Sequence, residues 1–172
     1  MHLDLSTCRV RPWELGDAES LQRHADDRAV SIQLRDRFPF PYGMDQARAF
    51  LDWVTRQPTP TVWAIEVDRQ AVGGIGLELH SDVERVSAEI GYWLGQKYWN
   101  RGIVTEALTA VTNEVFKQLE ITRLYAVPFA DHVASARVLE KAGYVREGHL
   151  RQSAIKNGQI RDQLLFAAYK RL

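Results

Sequence analysis

The chain has 172 residues, 45% of them hydrophobic and 26% charged, a composition that suits one globular domain spanning 1–172 with a sizeable core and no need of disulfide or metal staples. Lys plus Arg balance Asp plus Glu at 22 each, so no net field exists to draw nucleic acid, anionic lipid or a strongly acidic ligand. Cys8 is the only cysteine, which excludes an internal disulfide and leaves little for zinc; without an apolar run of signal-peptide or membrane-spanning length, the chain reads as cytoplasmic, with no metal, membrane or nucleic-acid partner expected.

Residues 7 to 11 alternate as Thr-Cys-Arg-Val-Arg and predict a half-buried strand that stops at Pro12. Asp17 is placed to cap a helix whose apolar side holds Ala18, Leu21 and Ala25, and Asp45 to cap a second carrying Ala47, Phe50, Leu51 and Val54. Between them, the segment from Arg35 to Gly43 is rich in prolines, which oppose helix, and in aromatics, which suit the wall of a binding site. Val62–Val67, Ala71–Leu79 and Val86–Leu94 predict an antiparallel meander, its first two strands joined by a tight turn at Asp68-Arg69-Gln70.

The period then changes. Val104, Leu108, Val111, Val115 and Leu119 recur at helical spacing, Leu124–Val127 reads as a short strand buried inside a sheet, and Ala134, Val138, Leu139 and Ala142 predict a helix ended by Gly143. Asn157-Gly158 suits a type I′ hairpin turn leading to a last strand over Leu164–Tyr169. The predicted order is β-α-α-β-β-β-α-β-α-β-β, an α/β layer structure whose sheet has an antiparallel front and a parallel centre.

The stretch richest in chemistry runs from Glu89 to Ala107, through strand, loop and helix. A flexible loop that opens directly into an amphipathic helix presents unpaired backbone N–H groups and the positive end of the helix dipole, an arrangement suited to a diphosphate. Lys97 and Arg101 add cations in the same turn. The plainer alternative is a tight strand-to-helix turn with no ligand.

This stretch resembles the acetyl-CoA-binding motif of the GNAT superfamily of N-acetyltransferases, in the branch that includes the ribosomal-protein N-terminal acetyltransferases. In that motif a Gln or Arg, two residues, a Gly, one residue, then Gly or Ala wrap the coenzyme's diphosphate; Lys97, Asn100 and Gly102 stand at those places, and only Gly102 keeps the strict form. Asn100 replaces a glycine yet tolerates positive φ better than most residues. The flanking Ile90-Gly91-Tyr92-Trp93-Leu94 and Thr105-Glu106-Ala107-Leu108 are typical of the branch, as are Leu139-Glu140-Lys141-Ala142-Gly143-Tyr144 and the closing Asn157-Gly158 hairpin. The resemblance implies a mainly antiparallel sheet with a splayed parallel central pair and helices on both faces. It also implies transfer of an acetyl group from acetyl-CoA to an amine, that of a protein N-terminus or of a small molecule, and leaves room for a homodimer. The alternative is a silent acyl-CoA-binding module, for which Asn100 and His132, the latter standing where the family has Asn, give some footing.

The same resemblance assigns roles. Backbone groups of Tyr92, Trp93 and Leu94 would hold the pantetheine arm and polarise the thioester, unless the two aromatics are plain core. The amides of Asn100, Arg101, Gly102, Ile103, Val104 and Thr105 would receive the diphosphate. Ser135 falls at the serine beside the coenzyme sulfur, as hydrogen-bond donor or acid to the departing thiolate; otherwise it is a first-turn helix serine satisfied by backbone. Glu89 is the first candidate to take the amine proton, against a strand carboxylate paired with a basic neighbour, and His132 the second, against a turn residue. Lys141 would reach a coenzyme phosphate or only complement the end of its helix, and Glu106 would complement the start of its own. Asp36, Phe38 and Tyr42 are expected to contact the acceptor.

Overall fold

The computed structural model describes residues 1–171. Eight strands and five α-helices alternate along the chain: β1 (Leu3–Asp4), β2 (Arg9–Pro12), α1 (Ala18–Ala25), α2 (Arg28–Ser31), α3 (Met44–Thr55), β3 (Val62–Val67), β4 (Gln70–Leu79), β5 (Ser87–Leu94), α4 (Ile103–Gln118), β6 (Arg123–Ala126), α5 (Val133–Lys141), β7 (Val145–Lys156) and β8 (Gln159–Tyr169). The strands form one open sheet in the order β1-β2-β3-β4-β5-β6-β8-β7. The expected α/β class is therefore found, a mainly antiparallel sheet with a parallel β5–β6 pair. That parallel ladder joins Ser87, Ala88 and Glu89 to Arg123, Leu124 and Tyr125; β5 runs on to Leu94, whereas β6 stops at Ala126.

The chain gathers into two compact units, Met1–Gly76 with Tyr92–Ala107, and Leu77–Gly91 with Leu108–Leu172. In the first, β1, β2, β3 and β4 pair antiparallel in succession, and Leu21, Ala25, Leu51 and Val54 of α1 and α3 build a core with Trp13, Tyr42, Ala64 and Ala71. In the second, β6 and β7 both pair with β8, and Leu124, Leu139 and Phe166 are among its fully buried side chains.

Several local details differ from the expectation. Asp17 precedes α1 without capping it: its carboxylate accepts bonds of 2.8 Å from both terminal nitrogens of Arg11 and one of 2.9 Å from the Glu14 amide. A buried guanidinium makes a stronger claim on a carboxylate than an exposed helix start does. Asp45 is not the cap of α3 either; Gly43 is, and its amide donates to Gln46 Oε1 at 3.1 Å. Periodicity does not reveal the short β1 and α2, because elements of two and four residues carry no periodic signal; α2 is marked by Asp27, which accepts from the Ala29 amide at 2.7 Å. β8 begins five residues earlier than expected, at Gln159, held by its long hairpin partner β7.

The turns follow the expected chemistry. Asn157 (φ 50°) and Gly158 (φ 76°) link β7 to β8, as a type I′ turn requires. Asp68 (φ 50°) and Arg69 (φ 62°) make the equivalent two-residue link between β3 and β4, with Val67 opposite Gln70.

Candidate functional site

The loop between β5 and α4 is fixed at both ends. Trp99 folds back so that its indole N–H donates to the Leu94 carbonyl at 2.7 Å, and the Gly95 amide donates to Val72 at 2.8 Å. A 3-10 turn over Gln96–Tyr98 follows, and then Asn100 (φ 60°) and Gly102 (φ 77°) reverse the chain into α4. Nothing lies within 4 Å of where a Cβ on Gly102 would be, so it is backbone angle, not crowding, that calls for glycine there. In the first turn of the helix the Glu106 amide donates to Gly102 at 3.0 Å, and the amides of Ile103 and Val104 stand ahead of it at the positive end of the dipole.

Two cations frame this turn. Lys97 Nζ and the Arg101 guanidinium lie 5.9 and 5.6 Å from the centre of the buried Tyr98 ring, so an aromatic face positions both while their exposed ends stay in water. Lys97 also lines a cleft of about 600 Å³ with Arg23, His24, Asp27, Gln70 and Gln96. Positive φ at two places, a helix start and two exposed cations are a donor set that fits a diphosphate.

Glu106 would oppose an anion at this helix start, but its charge is fully engaged elsewhere. One carboxylate oxygen accepts from the Ser6 amide (2.9 Å) and hydroxyl (2.7 Å), the other from the Thr7 amide (2.9 Å) and hydroxyl. These donors, the Thr7 hydroxyl foremost, hold the carboxyl down at about 2, so the amino-terminal segment is tied to the first turn of α4.

Of the other expected site residues in this unit, Tyr92 and Trp93 are half-buried at the end of β5, while the side chains of Leu94 and Ile103 are buried, leaving only backbone groups to a ligand. Val104 and Thr105 are half-buried in the first turn of α4. The Trp93 ring meets Phe38 edge-on at 5.3 Å, and Phe38 lies 5.0 Å from Tyr42, so the structure joins two expected acceptor residues to the end of β5. Tyr42 itself is a core residue, 4% exposed, and burial pushes its phenol up to about 12. Asp36 is exposed on the same loop. Gly73 and Gly74 make room for Trp93: a Cβ would stand 2.4 Å from its carbonyl oxygen at the first and 2.8 Å from its indole nitrogen at the second.

In the second unit, His132, Ser135 and Lys141 lie along α5. His132 is its N-cap residue, and the carbonyl of His132 accepts from the Ser135 amide at 3.1 Å; burial, aided by Arg161, lowers the His132 imidazole below the ordinary histidine range. Ser135 is buried and Lys141 exposed in the last turn. Gly143 (φ 86°) ends the helix as expected, with the Tyr144 amide donating to Leu139 at 2.9 Å. Glu89 sits half-buried on β5 opposite Tyr125, and its neighbour Gly91 is exposed with open space above it. Among the described residues no group of three or more His, Cys, Asp or Glu side chains is placed to hold a metal ion, and no helix is long and apolar enough to cross a membrane.

A strand-loop-helix turn that pairs a helix start with two cations is the arrangement of an anion-binding site. The profile of the acetyltransferase (GNAT) domain matches residues 8–145, and the chain belongs to this family of N-acetyltransferases. It is 37% identical over 175 aligned residues to the probable N-acetyltransferase YjcK of Bacillus subtilis, covering 94% of this chain and 93% of that one. It is 34% identical over 110 residues to the uncharacterized N-acetyltransferase YoaA of the same organism, but the match covers 63% of this chain and only 62% of that protein's length. A further relative is the ribosomal protein uS5-alanine N-acetyltransferase of Escherichia coli, 32% identical over 96 residues, 54% of this chain and 50% of that one. Among solved structures, RimL, the ribosomal L7/L12 alpha-N-protein acetyltransferase in complex with coenzyme A, superposes with a TM-score of 0.86 at 18% identity, covering 98% of each chain.

Proposed function

We propose that this chain transfers the acetyl group of acetyl-CoA to a primary amine, first of all the α-amine of a protein N-terminus, by direct attack while both substrates are bound. The observation that carries the reading is the pair of positive-φ residues, Asn100 and Gly102, opening into α4 in the same turn as Lys97 and Arg101, in a chain of the GNAT family. In this reading the amides from Asn100 to Thr105 and the two cations hold the diphosphate, backbone groups of Tyr92, Trp93 and Leu94 align the pantetheine arm, and Lys141 and His132 add outer contacts to the coenzyme.

The chemistry needs a neutral amine, a fixed thioester and a proton for the leaving thiolate, and alignment of the two reactants supplies much of the rate. The amine nitrogen attacks the thioester carbonyl carbon, the C–S bond breaks, Glu89 takes the amine proton, and Ser135 gives its hydroxyl proton to the thiolate and regains one from water. Asp36 and Phe38 contact the acceptor, with Tyr42 supporting Phe38 from the core. An N-terminal acceptor is favoured because a relative acts on ribosomal protein uS5, and such an acceptor fits a cytoplasmic enzyme.

The test is a panel of peptides with free N-terminal serine or alanine, polyamines and aminoglycosides, assayed for thiol release from acetyl-CoA. Acceptor-dependent release on at least one panel member supports the reading. Tight acetyl-CoA binding with no turnover across the panel would contradict it.

A further inference from the structure

Tyr125 stands beside Glu89 in the parallel ladder, and neighbours in a ladder project their side chains from the same face of the sheet. Its hydroxyl lies 2.8 Å from Nε2 of His80, which follows the last residue of β4; the two rings are 5.6 Å apart. Because β5 lies between β4 and β6, this bond passes over the strand that carries Glu89. His80 is exposed and Tyr125 half-buried, so the pair runs from the sheet face beside Glu89 outward to water. The Arg123 guanidinium stacks 4.9 Å from the Tyr125 ring and is itself engaged by Glu147, which also accepts from Tyr169. Glu78, two residues before His80, is a further charged side chain that strand alternation brings to this face.

We infer that Tyr125 and His80 form the proton exit of the acetyl transfer, carrying to solvent the proton that Glu89 takes from the amine. This rests on the acetyl-transfer reading and on Glu89 as the proton acceptor. The proton balance closes in three moves. Protonated Glu89 gives its proton to the Tyr125 oxygen as the Tyr125 hydroxyl proton passes to an unprotonated Nε2 of His80, and the exposed imidazolium then releases that Nε2 proton to water, leaving all three groups as they began. An imidazole has a ring nitrogen that can take up a proton and pass it on, which a glutamine amide in its place cannot. The exit would free Glu89 for each new turnover, so Tyr125 and His80 are positioning and relay residues that need not touch the acceptor.

The experiment measures kcat and KM for acetyl-CoA with the best acceptor of the panel, in wild type and in His80→Ala, His80→Gln, Tyr125→Phe and Glu89→Gln. The relay predicts that both His80 variants and Tyr125→Phe lose about ten-fold or more in kcat with KM for acetyl-CoA unchanged, and that added imidazole restores His80→Ala but not Tyr125→Phe. A purely structural bond would survive in His80→Gln, which keeps a polar partner for the tyrosine, so wild-type kcat in that folded variant overturns the proposal. So does a loss in His80→Ala that imidazole leaves unmoved. Wild-type kcat in Glu89→Gln would instead remove the proton-acceptor assignment, and a panel without any acceptor would remove the acetyl-transfer reading.

Discussion

Replacing Glu106 with Gln tests how the amino-terminal segment supports the anion cradle. The carboxylate accepts four hydrogen bonds from Ser6 and Thr7; an amide keeps one accepting oxygen and turns an N–H₂ group toward two donors, so at least two bonds are lost. Bonds to a charged group contribute about 1.5–3 kcal/mol each where water is excluded, but this side chain is reachable by solvent, which reduces the net loss to about 1–2 kcal/mol in total. Because the folded-state carboxyl is held down at about 2, against an ordinary value of 4.5, its contribution is complete above the unfolded value and is lost as pH falls toward about 2. Urea unfolding of both proteins should therefore show a gap of about 1–2 kcal/mol at pH 7 that narrows steadily between about pH 5 and pH 3. The same variant should bind acetyl-CoA more weakly, since the first turn of α4 loses its tie. A stability gap that does not change with pH would refute the reasoning.

Other perturbations follow from the same structure. Gly73→Ala places a Cβ 2.4 Å from the Trp93 carbonyl oxygen, so thermal melts should show a loss of about 1–3 kcal/mol together with altered Trp fluorescence. Asp17→Asn leaves Arg11, a buried guanidinium, with Glu66 as its one remaining carboxylate partner; the expected loss is about 3 kcal/mol by urea titration, and a loss below about 1 kcal/mol would contradict that account. Cys8 is 8% exposed, and burial pushes its thiol up to about 11, so a disulfide reagent at pH 8 should modify it slowly in the native protein and rapidly in urea. Fast native-state labelling would show that β2 opens more readily than its place in the sheet implies.

Much of this architecture can be read from residue patterns, and the parts that cannot share a physical reason. Period-2 and helical repeats locate β3, β4, β5 and α4 nearly to the residue, and Asn157-Gly158 and Gly143 mark their turn and helix end because φ chemistry is local. The loop at Asn100 and Gly102 is legible for the same reason: positive φ restricts residue type at single positions. The roles of Asp17 and Glu106 are not legible, because each carboxylate is claimed by donors from elsewhere in the chain, Arg11 across a strand turn and Ser6-Thr7 about a hundred residues away. His80 and Tyr125 escape notice likewise, since their bond depends on three strands lying side by side. The Gly73-Gly74 doublet was the one available sign that a large side chain, Trp93, lies close over β4.

If the amides and cations at the start of α4 grip the coenzyme's diphosphate, calorimetric titration will separate acetyl-CoA from S-acetylpantetheine, which lacks the diphosphate and the nucleotide. The expected result is clear heat and saturable binding for acetyl-CoA, at least ~100-fold weaker binding for S-acetylpantetheine, and loss of most of that difference when Lys97 and Arg101 are both replaced by alanine. Equal affinity for the two thioesters, or no heat with acetyl-CoA, would contradict it.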